Sequence, residues 1–342
     1  MISKEYKPVI GVTMGDPAGV GPEIVAKAAA QGILAKDAHP IIVGDQRLFK
    51  RGMEIAKVRV DFQVAATLEE ALTMDGIVVL DTRKFDAADL VMGELREECG
   101  RDAATNIQTC VQYCRQGLMD GICFAPNNKA AMKKAGFVLH GAIDLLAGFF
   151  QFTGNRGELN VLDDVWTARV TSHIPVKDIS ARLTEEGILK SIHLVNDTLK
   201  RAGIAKPRIA VAALNPHGGE GGTCGREEVE VIAPTVEKAK AMGIGADGPF
   251  PADTLFIKLF NKEYHAAVTM FHDQGQIAMK LKGFDQGVTV MAGLPNPVTT
   301  CSHGSAFDIA GKGIANPGAW GNSYGLVVKM AAVDKLARVK EG

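Results

Sequence analysis

Three of the chain's eight histidines stand just past an apolar run. His173 follows Ala168-Arg169-Val170-Thr171-Ser172, His217 follows a run that starts at Arg208, and His272 follows Ala266-Ala267-Val268-Thr269-Met270-Phe271. Each run has the length and composition of a buried strand. In a parallel sheet the C-terminal strand ends share one edge, which is where open α/β sheets place ligands. Three neutral imidazoles converging there, with a fourth position open, would make a catalytic metal site. Nitrogen ligands favour zinc, with magnesium, manganese or cobalt as alternatives. The residues lie 44 and 55 positions apart, so spacing also admits three imidazoles that each bond a nearby backbone group. Beyond His272 come Lys280 and Lys282, a strand-like run over 287–292, and a glycine-rich segment running from Ser302-His303-Gly304-Ser305 through Asp308 to Asn316.

The elements that must position these groups alternate in type. A strand over 8–14 runs into Gly15-Asp16-Pro17-Ala18-Gly19-Val20-Gly21-Pro22-Glu23, where Pro22 suits a first helical turn. Strands are expected over 40–43, 59–64, 76–80 and 121–125, and helices over 46–54, 68–73 and 101–116. A second unit begins near Pro126-Asn127-Asn128, with strands over 159–162, 168–171, 208–213 and 266–270. Its helices cover 184–202 and 226–241. Such alternation implies parallel strands covered by helices. The expected lobes are 1–128 with 307–342, and 129–306, which carries the three histidines.

Composition excludes several functions. With 38 Lys+Arg against 39 Asp+Glu, a general grip on nucleic acid or an anionic membrane is not expected. No apolar run reaches the roughly 18 residues of a transmembrane helix. Six cysteines without CxxC spacing read as reduced thiols, and no signal core follows the N-terminus, so a cytoplasmic protein is expected. Gly243-Ile244-Gly245-Ala246-Asp247-Gly248 fits a dinucleotide fingerprint literally. Pro249 and Pro251 follow where a helix should begin, so we read it as a coincidence. Cys110 and Cys114, at helical spacing, read as core packing.

The motifs GVTMGDPAGVGPEI (11–24), APNNKAAM (125–132), SHIPV (172–176), NPHGGEGG (215–222), GPFPADTLF (248–256) and FHDQG (271–275) resemble those of the 4-hydroxythreonine-4-phosphate dehydrogenase family. The segment HGSAFDIAGKGIANP (303–317) is similar to the adenosine-binding loop of isocitrate and isopropylmalate dehydrogenases. The resemblance implies a two-lobe α/β fold like theirs, with largely parallel sheets and the active site in the interlobe cleft. It implies a divalent metal on His173, His217 and His272, in a homodimer that shares the metal site. NAD would lie around His303, Gly304, Ser305, Asp308 and Asn316. Asp253 and Lys280 are the candidates for substrate orientation and proton handling.

The chain departs from the family pattern at substrate-binding positions. A His-Thr pair is replaced by Ala142-Ile143, an Asn by Thr289 and an Arg by Val298, while Lys280 remains. Hydrogen bonds to a charged group contribute about 1.5–3 kcal/mol each, so a phosphate would lose several decades of affinity. The expectation is therefore an oxidative, decarboxylating dehydrogenase acting on a non-phosphorylated small molecule, such as a carboxylated cis-dihydrodiol of the terephthalate type. Arg169 and Lys280 would face the second carboxylate. The alternative is 4-hydroxythreonine-4-phosphate or 4-phosphothreonate.

Overall fold

A computed structural model describes residues 7–83, 85, 89–137 and 141–341. The chain alternates from its first strand: β1 (Val9–Thr13), α1 (Gly21–Ala30), β2 (His39–Gly44), α2 (Gln46–Ala56), β3 (Gln63–Ala65), α3 (Leu68–Ala71), β4 (Val78–Asp81) and α4 (Glu97–Arg115). Next come β5 (Gly121–Phe124), α5 (Lys129–Lys134), α6 (Ala142–Phe150), β6 (Gly157–Leu162), β7 (Val165–Arg169), α7 (Ile179–Arg182), α8 (Glu185–Arg201) and β8 (Ile209–Ala212). A glycine loop then leads to a π-helical turn, Glu228–Ile232, which continues as α9 (Ala233–Ala241). The remainder is β9 (Ala246–Phe250), α10 (Ala252–Phe260), β10 (Ala266–Thr269), α11 (His272–Gly283), β11 (Val288–Ala292), β12 (Val298–Cys301) and α12 (Gly318–Glu341). Among the described residues no helix is long and apolar enough to cross a membrane.

Two compact units result, Met1–Gly154 with Val288–Gly342, and Asn155–Gly287. The division differs from the expected 128/129 and 306/307 for a reason of long-range packing. Helices α5 and α6 pack on α4, and β12 pairs in parallel with β5, so both segments belong with the N-terminal strands. In this unit the strand order is β3-β4-β2-β1-β5-β12-β11, parallel except for β11. β1 is buried at four of its five residues, as a central strand covered on both faces should be. Ile10, Val12, Ile24, Phe49, Trp320 and Tyr324 belong to the cluster on one side of the sheet.

The second unit orders its strands β6-β7-β10-β8-β9, parallel except for the β6–β7 pair. Ala210, Leu255, Leu259 and Ala267 form part of its core. Helix α8 starts at Thr184, whose side chain accepts the Gly187 N–H, and buries Ile188, Ile192, Val195 and Leu199 on the expected face. The GxGxxG stretch runs from a turn into β9 instead of opening a helix, which removes it as a nucleotide fingerprint.

Candidate functional site

All three histidine-bearing segments leave neighbouring strands of the second unit, since β7, β10 and β8 are adjacent and parallel. Parallel pairing puts their C-terminal ends on one edge, and side chains then tie the segments together. The Thr171 hydroxyl and N–H both donate to the Met270 carbonyl, at 2.8 and 3.1 Å, joining the His173 and His272 segments. Gln274, two residues past His272, accepts the Met270 N–H and donates to the Ala213 carbonyl at 2.8 Å, joining the His272 segment to the one carrying His217. Neither Thr171 nor Gln274 stood out in the sequence. The Gln in FHDQG was visible, but a single amide carries no pattern.

The imidazoles of His173 and His272 face each other with ring centres 6.0 Å apart. Two rings sharing one ion through nitrogens at about 2.0–2.1 Å have centres roughly 5 Å apart, about an ångström closer than these. They line a pocket of about 180 Å³ with Thr171, Ile179 and Phe271. His272 Nδ1 lies 2.7 Å from Asp273 Oδ1, and His217 Nδ1 lies 2.8 Å from Glu220 Oε1. A carboxylate only accepts, so the shared proton sits on Nδ1 and the neutral ring keeps its lone pair on Nε2, as a metal ligand requires. The Glu220 contact, with Asp253 farther off, pushes the His217 pKa up. His173 and His217 both have left-handed backbones, with φ of 54° and 53°. For a residue with a Cβ this costs about 1–2 kcal/mol, a kind of strain that clusters at functional sites.

His217 is not drawn in with the other two. Among the described residues, no three His, Cys, Asp or Glu side chains come close enough to hold an ion. His217 sits on the exposed glycine loop, near Asp253 in the first turn of α10. Lys280 is exposed on α11, two turns beyond His272. Arg169 is committed internally: Nε donates to Ser172 Oγ, Nη1 to Asn160 Oδ1 and Nη2 to Glu158 Oε2. It holds the residue before His173 and is not offered to a second carboxylate.

In the first unit, His303, Gly304, Ser305, Asp308 and Asn316 all fall on the segment between β12 and α12. The loop is fastened to the turn after β1, where the Val20 N–H donates to the Ser305 carbonyl at 3.0 Å. Buried Glu23 accepts the Ala315 N–H through Oε1 at 2.8 Å, and Lys27 donates to Glu23 and to the carbonyls of Gly313 and Ala315. Asn316 Oδ1 accepts the Gly318 N–H at the start of α12. The loop exposes Asp308, Asn316 and Ile314, a carboxylate, an amide and an apolar side chain, which suits a ribose and a flat base. The i,i+4 spacing of Glu23 and Lys27 was readable, but their grip on residues 313–315 was not.

The positions taken to mark a lost phosphate pocket behave as packing residues. Val298 is 0% exposed within β12. Ala142 and Ile143 pack against the same hydrophobic cluster, and Thr289, on β11, is buried with its hydroxyl 3.1 Å from Ser302 Oγ. Counting positions along the chain had treated these as pocket walls.

Residues 36–326 match the family described as pyridoxal phosphate biosynthetic protein PdxA. A Rhizobium meliloti protein provisionally named 4-hydroxythreonine-4-phosphate dehydrogenase 2 is 46% identical over 96% of this chain and 95% of its own. A Desulforapulum autotrophicum 4-hydroxythreonine-4-phosphate dehydrogenase is 40% identical, covering 96% of both chains. The crystal structure of the Klebsiella pneumoniae 4-hydroxythreonine-4-phosphate dehydrogenase superposes with a TM-score of 0.85 at 33% identity, over 95% of this chain and 98% of that one. A terephthalate 1,2-cis-dihydrodiol dehydrogenase from Burkholderia xenovorans reaches only 0.66 at 25% identity, over 95% and 98%. These similarities overturn the expectation of a non-phosphorylated dihydrodiol substrate.

Proposed function

Since the chain belongs to the family of the pyridoxal phosphate biosynthetic protein PdxA, we propose that it is a metal-dependent, NAD-linked dehydrogenase acting on a phosphorylated hydroxy acid of the 4-hydroxythreonine 4-phosphate type. The observation that carries the reading is near-complete coverage by relatives bearing that dehydrogenase name, up to 46% identity over 331 residues.

His173, His217 and His272 would hold the ion, through the Nε2 atoms that their Nδ1 partners leave available in the last two. When bound, the ion would polarise the substrate hydroxyl and the nicotinamide would accept the hydride. Asp253 is the carboxylate placed near His217, and in this reading it takes the hydroxyl proton. Lys280 supplies the positive charge that holds the anionic end of the substrate. His303, Gly304, Ser305, Asp308 and Asn316 bind the adenosine half of NAD on the loop that Glu23 and Lys27 hold in shape. Oxidation of a hydroxyl β to the carboxylate yields a β-keto acid, which releases carbon dioxide. In this reading the complete site is shared by a homodimer, with ligands from both subunits.

The test is NADH formation at 340 nm by metal-loaded protein, with 4-phosphohydroxythreonine and a carboxylated cis-dihydrodiol in parallel. Turnover of the phosphate ester alone is expected, and His217→Ala should lower kcat by about 10³-fold, or roughly 4 kcal/mol of barrier. Turnover of the diol alone would sink the reading.

A further inference from the structure

Two sides of the histidine triangle are tied by Thr171 and Gln274; the third side is tied by a pair of carboxylates at the start of the π-helical turn. Glu228 is 3% exposed and accepts the N–H groups of Leu214 and Asn215, both at 2.8 Å, through Oε1. Its Oε2 accepts the Asn215 side-chain N–H at 2.9 Å. Glu227 Oε2 also accepts from Asn215 Nδ2, at 2.7 Å, while its Oε1 accepts the Ser180 hydroxyl at 2.5 Å. Ser180 lies on α7, the first α-helix after His173, and Asn215 is two residues before His217. One dipeptide therefore grips the chain on both sides.

The loop is cut to admit this grip. A Cβ on Gly219 would lie 2.6 Å from Glu228 Oε2, and one on Gly225 would lie 2.3 Å from Asn215 Nδ2. Both glycines also have positive φ, 77° and 98°. Gly219 and Gly225 thus make room for the clamp, a role separate from flexibility. The dipeptide opens a π-helical turn, a geometry that is rare and concentrates at functional sites.

We propose that Glu227 and Glu228 are positioning residues that, through Asn215 and Ser180, set the placement of His217 relative to His173. This rests on the reading that the histidines hold a metal. Neither carboxylate touches the ion; each acts by holding the stem of a ligand-bearing loop whose tip is otherwise exposed. Removing such support weakens metal binding, as loss of outer-shell partners does, by 10–100-fold for those in direct contact. One step further out, about tenfold is expected.

The test titrates full-length, metal-stripped protein with Co²⁺, following its visible absorption, in the parent, His217→Ala, Glu228→Gln and Glu227→Ala. Parent protein should bind, His217→Ala should lose binding, and both clamp variants should bind about tenfold more weakly while retaining a native circular dichroism spectrum. Excess Co²⁺ should restore kcat in Glu227→Ala but not in His217→Ala, a separation that general loss of structure would not produce. Should Glu228→Gln fail to fold, the less buried Glu227 carries the same measurement. Clamp variants that bind Co²⁺ as tightly as the parent would overturn the proposal. A parent that binds none, or a His217→Ala variant that binds normally, would overturn the metal reading itself.

Discussion

Two glycine-rich loops follow parallel strands in this protein, one after β1 and one after β8, and they differ in what surrounds the glycines at their tips. The first, residues 14–23, is buried throughout. There a Cβ on Gly15 would meet the Pro126 carbonyl oxygen at 2.3 Å, one on Gly21 the Met14 carbonyl oxygen at 1.9 Å, and one on Gly19 the Ser305 carbonyl oxygen at 2.9 Å. The second, residues 215–225, has left-handed backbone at His217, Gly218, Gly219, Glu220 and Gly221. Yet Gly218 and Gly221 have nothing within 4 Å of where a Cβ would sit. The first loop is a packed wedge against which Ser305 rests; the second is packed at Gly219 and Gly225, while Gly218 and Gly221 leave its tip open as a conformational element that presents His217.

The comparison is broken most forcefully at Gly21. An added methyl there collides with backbone, which cannot rotate away, so Gly21→Ala should cost at least about 3 kcal/mol and leave little folded protein. Yield and urea midpoint measure this directly. A midpoint near that of the parent would mean the β1 turn is not the rigid wedge described.

How much of this was legible beforehand follows the range of the interactions. The histidines at strand ends were readable because each strand is a local apolar run, and β8 and β10 lie within the expected ranges. β12 was not readable. Val298-Thr299-Thr300-Cys301 is short and half polar, and it is a strand because β5 pairs with it and α12 packs against it. The lobe boundary failed for the same reason, since α5 and α6 are held by a helix that precedes them in the chain. Substrate inference failed in another way. A list of replaced side chains does not say which way a position faces, and Val298 faces the core. The supports of the site, Gln274, Arg169 and Glu228, are single polar residues, each with a partner between 9 and 61 positions away.

A subtler difference between the loops is charge. The buried loop contains Asp16, 0% exposed, with Oδ1 accepting the Ala18 N–H at 2.8 Å and Oδ2 accepting nothing among the described residues. Burial raises its pKa from 3.8 to about 6, against the opposing pull of that hydrogen bond. A folded pKa above the unfolded one means the protonated group favours folding below about pH 4, an advantage lost as pH rises through 6. At pH 7 the ionised carboxylate therefore opposes folding by about 2–3 kcal/mol. Asp16→Asn should be about 2 kcal/mol more stable than the parent at pH 7.5 and nearly equal to it at pH 4, by urea titration at both values. No difference at pH 7.5 would show that the loop admits solvent to the carboxylate.

The smallest effect belongs to the exposed loop. Gly218 has φ 71° and ψ 30°, and no atom would meet a Cβ there. Gly218→Ala therefore incurs only the left-handed backbone cost of about 1–2 kcal/mol, partly offset because alanine also has less freedom to lose on folding. A loop held at its stem can release that strain by opening locally, so the global urea midpoint should move by less than about 1 kcal/mol. The loss should appear instead as weaker Co²⁺ binding, because the strained residue adjoins His217. A global loss as large as that of Gly21→Ala would mean the tip is packed in solution. The two loops would then differ in sequence order but not in physical role.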